Sequence, residues 1–247
     1  QAYRRPISAE DLEGLIGFYR RAHESSDFEA GIRTALQAIL ASPSFVFRFE
    51  NVPAGTEPGQ NHQISDLELA SRLSYFLWST VPDEELIRVA GEGQLQDPLI
   101  LRRQVKRMLG DVRSGALSTR FAGQWLRLRD LEGKVPDPIF FPQFDSGLGH
   151  SMRRETELFF DSIVRENRDI LDLLTSDYTF VDERLAKHYK LPNVIGNRFR
   201  RVRFADENRK GLLGHASILT LTSNPDRTSP VQRGKYVMEV LLGSPPP

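Results

Sequence analysis

The sequence predicts an all-α protein, a bundle-like array of about nine or ten helices with at most a minor β-hairpin. Three observations lead there. Apolar residues recur at intervals of three and four along most of the 247-residue chain, which places them on one side of a helix. Ser, Asp or Asp-Pro precedes most of these stretches, as at Ser8, Asp27, Ser65, Asp97 and Asp182. Such residues accept the unpaired N–H groups of a first helical turn. Aromatic and Arg-rich runs that suit a strand are few and short.

Ser8, with Asp11 three residues on, opens a helix through Leu12, Leu15, Ile16 and Tyr19. Asp27 opens a second through Ile32, Leu36, Ile39 and Leu40, and the two form a helical hairpin. Ser42-Pro43 ends the second helix, and Phe45 to Phe49 reads as a short strand or a docking turn. Pro53, Gly55, Pro58 and Gly59 mark residues 51–63 as a loop and the clearest boundary. Ser65 and Glu68 make a capping box before the apolar face Leu69, Leu73, Phe76 and Leu77. Pro82-Asp83-Glu84 and Asp97-Pro98 start two more helices. A further one from about Ser114 carries Leu117, Phe121, Trp125 and Leu126, with Trp78 and Trp125 as core anchors. Residues 131–145 form a long loop, expected to pack by Phe140 and Phe141.

The longest helix is expected over 146–166, followed by a turn or two at 169–174. Asp182 caps a helix bearing Leu185, His188 and Tyr189, which Leu191-Pro192 ends. Residues 199–204 and Tyr178-Thr179-Phe180 suit a small hairpin. Gly211 to Leu219 reads as an apolar helix whose two glycines imply close packing, and a last helix follows Ser229-Pro230. These elements group into an N-terminal helical hairpin module (1–52), a central helical domain (64–190) and a C-terminal helical module (191–247) leading into a proline-rich linker.

Composition narrows function by exclusion. Lys plus Arg and Asp plus Glu are equal at 33 each, so no net field favours nucleic acid or an anionic membrane. The densest cationic stretch, Arg198 to Arg203 with Arg209 and Lys210, is interrupted by Asp206 and Glu207. With no cysteine, the chain has no disulfide, thiolate nucleophile, Cys-ligated zinc or covalent haem attachment. No run reaches the roughly 18 apolar residues of a membrane span. The polar start and the closing prolines read as a module cut from a longer polypeptide. No pair among the 5 histidines has the helical spacing of metal ligands, so no metal is expected.

The most distinctive segment is Arg227-Thr228-Ser229-Pro230-Val231-Gln232-Arg233-Gly234-Lys235. Ser229 before Pro230 writes a helix start. Arg227, Thr228, Ser229, Arg233 and Lys235 together are candidates for holding a phosphate, sulfate or carboxylate, while an internal acid such as Glu155 or Asp226 would satisfy the same cations. His150, Glu155 and His188 are candidates for a polar cleft with them. Gly-x-Ser-x-Gly elbows, phosphate loops and dinucleotide fingerprints are absent, and no catalytic residue is assigned.

Six motifs in order carry a family resemblance: Phe28-Glu29 through Ala41-Ser42-Pro43-Ser44-Phe45, Leu69 through Trp78, Phe121-Ala122-Gly123-Gln124-Trp125-Leu126, Asp177-Tyr178-Thr179-Phe180-Val181, Gly211-Leu212-Leu213-Gly214 and Arg227-Thr228-Ser229-Pro230. Over essentially its whole length the chain resembles planctomycete-type helical domains of unknown function from large secreted proteins that often carry a c-type cytochrome domain. The resemblance implies a periplasmic or secreted setting. It implies no cofactor in this chain, haem c in a neighbouring domain, and other domains of the same polypeptide, a cytochrome domain or a glycan as partners. Three functions follow as expectations: a helical scaffold or interaction module, part of an oxidoreductase or carbohydrate-active enzyme with a cleft around Arg227, Arg233, His150 and Glu155, or an anion- or glycan-binding domain.

Overall fold

The computed structural model describes residues 2–204 and 209–246; Asp206 and Glu207, which interrupt the cationic stretch, lie outside the described residues. The fold is predominantly helical, and the sheet among the described residues is a single antiparallel pair. Two compact units divide it, Gln1–Arg113 and Ser114–Pro247. The 51–63 loop lies inside the first.

In the first unit, α1 (Ala9–Ser25) and α2 (Phe28–Ala41) form the expected hairpin. Ser8 and Asp11 close a reciprocal capping box, and Asp27 accepts from the Ala30 N–H. Close approach of the helices rests on Gly31, where an added Cβ would meet the Tyr19 ring at 2.6 Å. Phe45 to Phe49 is not a strand. Pro43 opens one helical turn, α3 (Pro43–Val46), because proline's missing N–H costs nothing in a first turn. The buried Arg4 guanidinium then holds its end by donating to the carbonyls of Ser44, Phe45 and Phe47 at 2.6, 3.0 and 2.5 Å.

The core of this unit lies among α4 (Asp66–Trp78), α5 (Glu84–Gly91) and α6 (Pro98–Gly110), each begun by its expected cap. Trp78 is buried, and its indole N–H donates to the Met108 carbonyl at 2.9 Å. Arg113 stacks on its ring at 3.6 Å. Asp83 both caps α5 and pairs with Arg107 at 2.7 Å, which joins α5 to α6.

The second unit departs from the sequence expectation first at 114–126. Leu117–Ala122 winds as a π-helical segment before α7 (Gly123–Trp125). Trp125 is half-buried, with its indole donating to the Val240 carbonyl at 2.8 Å. The 131–145 loop does not bury Phe140, which stays 62% exposed. α8 (Ser146–Arg165) starts on the Asp145 cap and is the axis of the unit. After α9 (Asp172–Thr175), β1 (Tyr178–Val181) pairs antiparallel with β2 (Arg200–Arg203) in the register Tyr178↔Arg203 to Val181↔Arg200. α10 (Glu183–Tyr189) lies between them in sequence. The Arg stretch is locally occupied: Arg201 pairs with Glu166 and stacks on Tyr178 at 4.4 Å, and Arg200 donates to the Ile195 carbonyl.

The apolar helix expected from Gly211 is shorter than its composition suggests. Gly211 has φ +59, and a 3-10 turn over Leu212–Gly214 leads to extended backbone at His215, so α11 spans Ala216–Leu221. The glycines do serve close packing. A Cβ on Gly211 would meet the Leu173 carbonyl at 2.5 Å, and one on Gly214 would meet the Arg209 backbone at 2.7 Å. Ser229 caps α12 (Pro230–Tyr236), which continues as a π-helical segment over Val237–Leu241.

Candidate ligand-binding cleft

Buried positions on α8 follow one stripe, Leu148, Ser151, Met152, Glu155, Thr156 and Phe159, at steps of three and four. Leu148 and Met152 pack with Val181, Leu185, Ala186 and Ala216, with Phe144 and Tyr189 against them. This apolar cluster is the floor of a cleft of about 570 Å³, bordered by residues 133–144, α8, His188, Arg209, α11 and the 223–228 turn. The size falls within the range of small-molecule sites. The rim is built by local bonds: Asp137 N–H donates to the Pro225 carbonyl at 2.9 Å, Asn224 N–H to the Arg227 carbonyl at 2.9 Å, and Ser223 bridges Thr228.

The charge on the lining has one sign. Lys134, Arg209 and Arg227 border the cleft, whereas no Asp or Glu is among its described lining residues. Lys134 and Arg209 have no salt-bridge partner among the described residues, and the 71% exposed Arg227 side chain pairs only with its neighbour Asp226. Arg209 lies over the Tyr189 ring at 4.6 Å and donates to the Gly214 carbonyl at 3.2 Å. A second cleft of about 540 Å³ shares Gln143, Leu148 and His188 with the first, and carries Asp182, Glu183, Arg184 and Lys187.

Beneath the floor lies a buried polar layer. Glu155, fully buried, accepts from Thr179 Oγ1 at 2.6 Å and from the Tyr189 hydroxyl at 2.7 Å, and that hydroxyl accepts from the Ala216 N–H at 2.7 Å. Burial without an ion-pair partner pushes the Glu155 carboxyl up to about 8, against weaker opposition from those hydroxyls and the Arg209 charge. It therefore keeps its proton at neutral pH. His215, also buried, has Nδ1 3.0 Å from Thr156 Oγ1, and the Phe159 ring packs edge-on at 4.8 Å. Its Nε2 has no hydrogen-bond partner among the described residues, and burial pushes the ring down to about 3. Burial, and then the Arg209 charge, lower the His188 ring below the ordinary imidazole range, and the ring lies at the junction of the two clefts.

Of the sequence-predicted residues, Arg227, Thr228 and His188 line the cleft. Glu155 is sealed behind Tyr189 rather than facing ligand. Ser229 accepts from the Gln232 N–H at 3.3 Å and serves as a cap. Lys235 pairs with Glu239 at 3.5 Å, and the buried Arg233 Nε has no hydrogen-bond partner among the described residues. His150 is exposed on α8. Arg227, Arg233, His150 and Glu155 thus do not converge, and only Arg227 borders the cleft. Sequence reasoning missed Lys134, Phe144 and Met152 as cleft residues; Arg209 was visible only as part of a charged stretch. Among the described residues, no group of three His, Asp or Glu side chains is placed to hold a metal ion, and no helix is long and apolar enough to cross a membrane.

Three family models match the chain in order. Residues 1–50 match PSD5, a protein of unknown function (DUF1595), and residues 209–247 match PSCyt3, a protein of unknown function (DUF1588). No curated protein and no solved structure matches the chain. The central match covers residues 64–191, from the α4 capping box through the floor of the cleft and just over half of the sequence, and by it the chain belongs to the PSD4 family, proteins of unknown function (DUF1592).

Proposed function

We propose that this chain is a helical scaffold and binding module of a larger extracytoplasmic, cytochrome-associated protein, and that the Ser114–Pro247 unit holds a small ligand. One observation carries the binding reading: a cleft of about 570 Å³ with an apolar floor, bordered by Lys134, Arg209 and Arg227 and by no carboxylate among its described lining residues. Arg107 meets an internal acid, Asp83, whereas Lys134 and Arg209 meet none among the described residues and Arg227 pairs with its sequence neighbour Asp226. The extracytoplasmic setting, the haem c in a neighbouring domain and the partner domains rest on the family resemblance alone. An acid–base enzyme has less support here, because the buried carboxyl is shut behind Tyr189 and the His188 ring is hydrogen-bonded to no carboxylate among the described residues.

The reading is tested by nuclear magnetic resonance of the full chain titrated with a library of drug-sized fragments. Shifts are expected to cluster at Lys134, Phe144, His188, Leu219 and Arg227, and Leu219→Trp, which fills the cleft, is expected to erase them. Shifts scattered over the surface, or unchanged in the filled variant, would overturn it.

A further inference from the structure

We propose that the ligand is an amphipathic organic anion, a single carboxylate on an apolar or aromatic body, and that Arg209 is the residue that seats the carboxylate. This rests on the binding reading above and adds the ligand's chemistry to it.

The argument begins with how Arg209 is held. Its guanidinium lies over the Tyr189 ring at 4.6 Å, and one N–H group donates to the Gly214 carbonyl at 3.2 Å. The ring beneath it cannot swing freely, because the Tyr189 hydroxyl is bonded to both Glu155 and the Ala216 N–H, each at 2.7 Å. Behind it, the absence of a side chain on Gly214 lets the chain pass against the Arg209 backbone, where a Cβ would sit at 2.7 Å. Stack and carbonyl hold the guanidinium before any ligand arrives, and the close backbone contact holds the chain that carries it. A fork fixed in this way loses less freedom on binding and presents its other donors in the planar geometry that suits a carboxylate.

The remaining surface decides what the carboxylate is attached to. Phe144, Leu148, Met152 and Leu219 supply an apolar wall, so an inorganic anion would leave it uncovered. Lys134 and Arg227 extend the positive field towards the rim. A neutral ligand would leave Lys134 and Arg209 with no counter-charge among the described residues, and a cationic one would be repelled. The shared chemistry is one negative group and one apolar body.

Isothermal titration of the full chain with 4-phenylbutyrate, its neutral amide and inorganic phosphate separates these possibilities, with chemical shifts locating the site. The carboxylate is expected to bind at the cleft about tenfold or more tightly than the amide, and phosphate to bind more weakly than the carboxylate. Arg209→Met, which keeps the stem over Tyr189 but removes the charge, is expected to abolish the preference for carboxylate. Arg227→Met at the exposed rim provides a second variant that leaves the floor intact and is expected to reduce the preference. Equal binding of carboxylate and amide at the cleft, or a preference that survives in Arg209→Met, overturns the proposal while leaving the binding module standing. Binding of none of the three at the cleft overturns the ligand class as well, and if the fragment library also fails there, the binding module falls with it.

Discussion

Helix α2 of the first unit and helix α8 of the second begin with the same device, an Asp whose side chain caps the first turn, yet they meet opposite fates. α8 buries ten residues, among them two Glu, two Ser and a Thr with partners on β1, α10, α11 and α8 itself. α2 buries only Gly31. Its apolar side, Phe28, Ile32, Leu36 and Leu40 at steps of four, stays 61, 41, 54 and 57% exposed. Local sequence thus makes both helices, but only coverage by other elements turns an amphipathic helix into a core. The second unit has that coverage on α8, and with it a cleft and a buried acid. The hairpin of the first unit is an assembled pair with an uncovered face.

The contrast should be largest in paired truncations. Phe159, fully buried between Tyr178 at 5.4 Å and His215 at 4.8 Å, is expected to cost about 3–5 kcal/mol when replaced by Ala. Phe28→Ala on the open hairpin should cost a small fraction of that, about 0.5 kcal/mol. Urea unfolding measures both, and comparable losses would erase the distinction.

A smaller effect is expected in pH dependence. Glu155 is raised from 4.5 to about 8, so between these values the folded state holds a proton that the unfolded state releases, and stability falls as pH rises. His215 is lowered from 6.5 to about 3, so across that range the unfolded state holds the extra proton and stability rises with pH. The two slopes oppose each other between 4.5 and 6.5, which leaves a fall governed by Glu155 from 6.5 to 8 of up to about 1.4 kcal/mol per pH unit. Thermal melts should show this alkaline fall in the native chain and lose it in Glu155→Gln. A native chain equally stable at both ends of that window would contradict the buried, protonated carboxyl.

The smallest expected effect has the opposite sign. Gly14 lies within α1, and an added Cβ there meets nothing within 4 Å. Gly14→Ala should stabilise the hairpin by about 0.5–1 kcal/mol, since Ala loses less freedom in a helix. A destabilised Gly14→Ala would mean that this surface is already covered.

Most helices were legible because their signals are local. Ser8 with Asp11, Ser65 with Glu68, Asp97-Pro98, Asp182 and Ser229-Pro230 each begin a helix where the caps said they would. The π-helical turns over 117–122 and 237–241 were not legible, because their apolar spacing resembles that of an ordinary helix. Long-range bonds join the residues just after the first segment to the end of α12 and the second segment, from Trp125 to the Val240 carbonyl and from the Tyr236 hydroxyl to the Leu126 carbonyl. The glycines of Gly211-Leu212-Leu213-Gly214 signal close packing, but not that the segment leaves the helix. The motif is a 3-10 turn that lets the chain pass against Leu173 on one side and Arg209 on the other.

By itself, the sequence determined the helical class, the caps, the α1–α2 hairpin, the family and the absence of cysteine chemistry, since each is written in residues a few positions apart, in ordered motifs or in composition. Only the tertiary structure decided that Glu155 would be sealed in, that Arg233 and His150 would stand away from the cleft, and that Lys134, His188, Arg209 and Arg227 would meet around one apolar floor. Such meetings depend on how whole elements pack, and side-chain periodicity along one helix carries no record of what the next will bring to it.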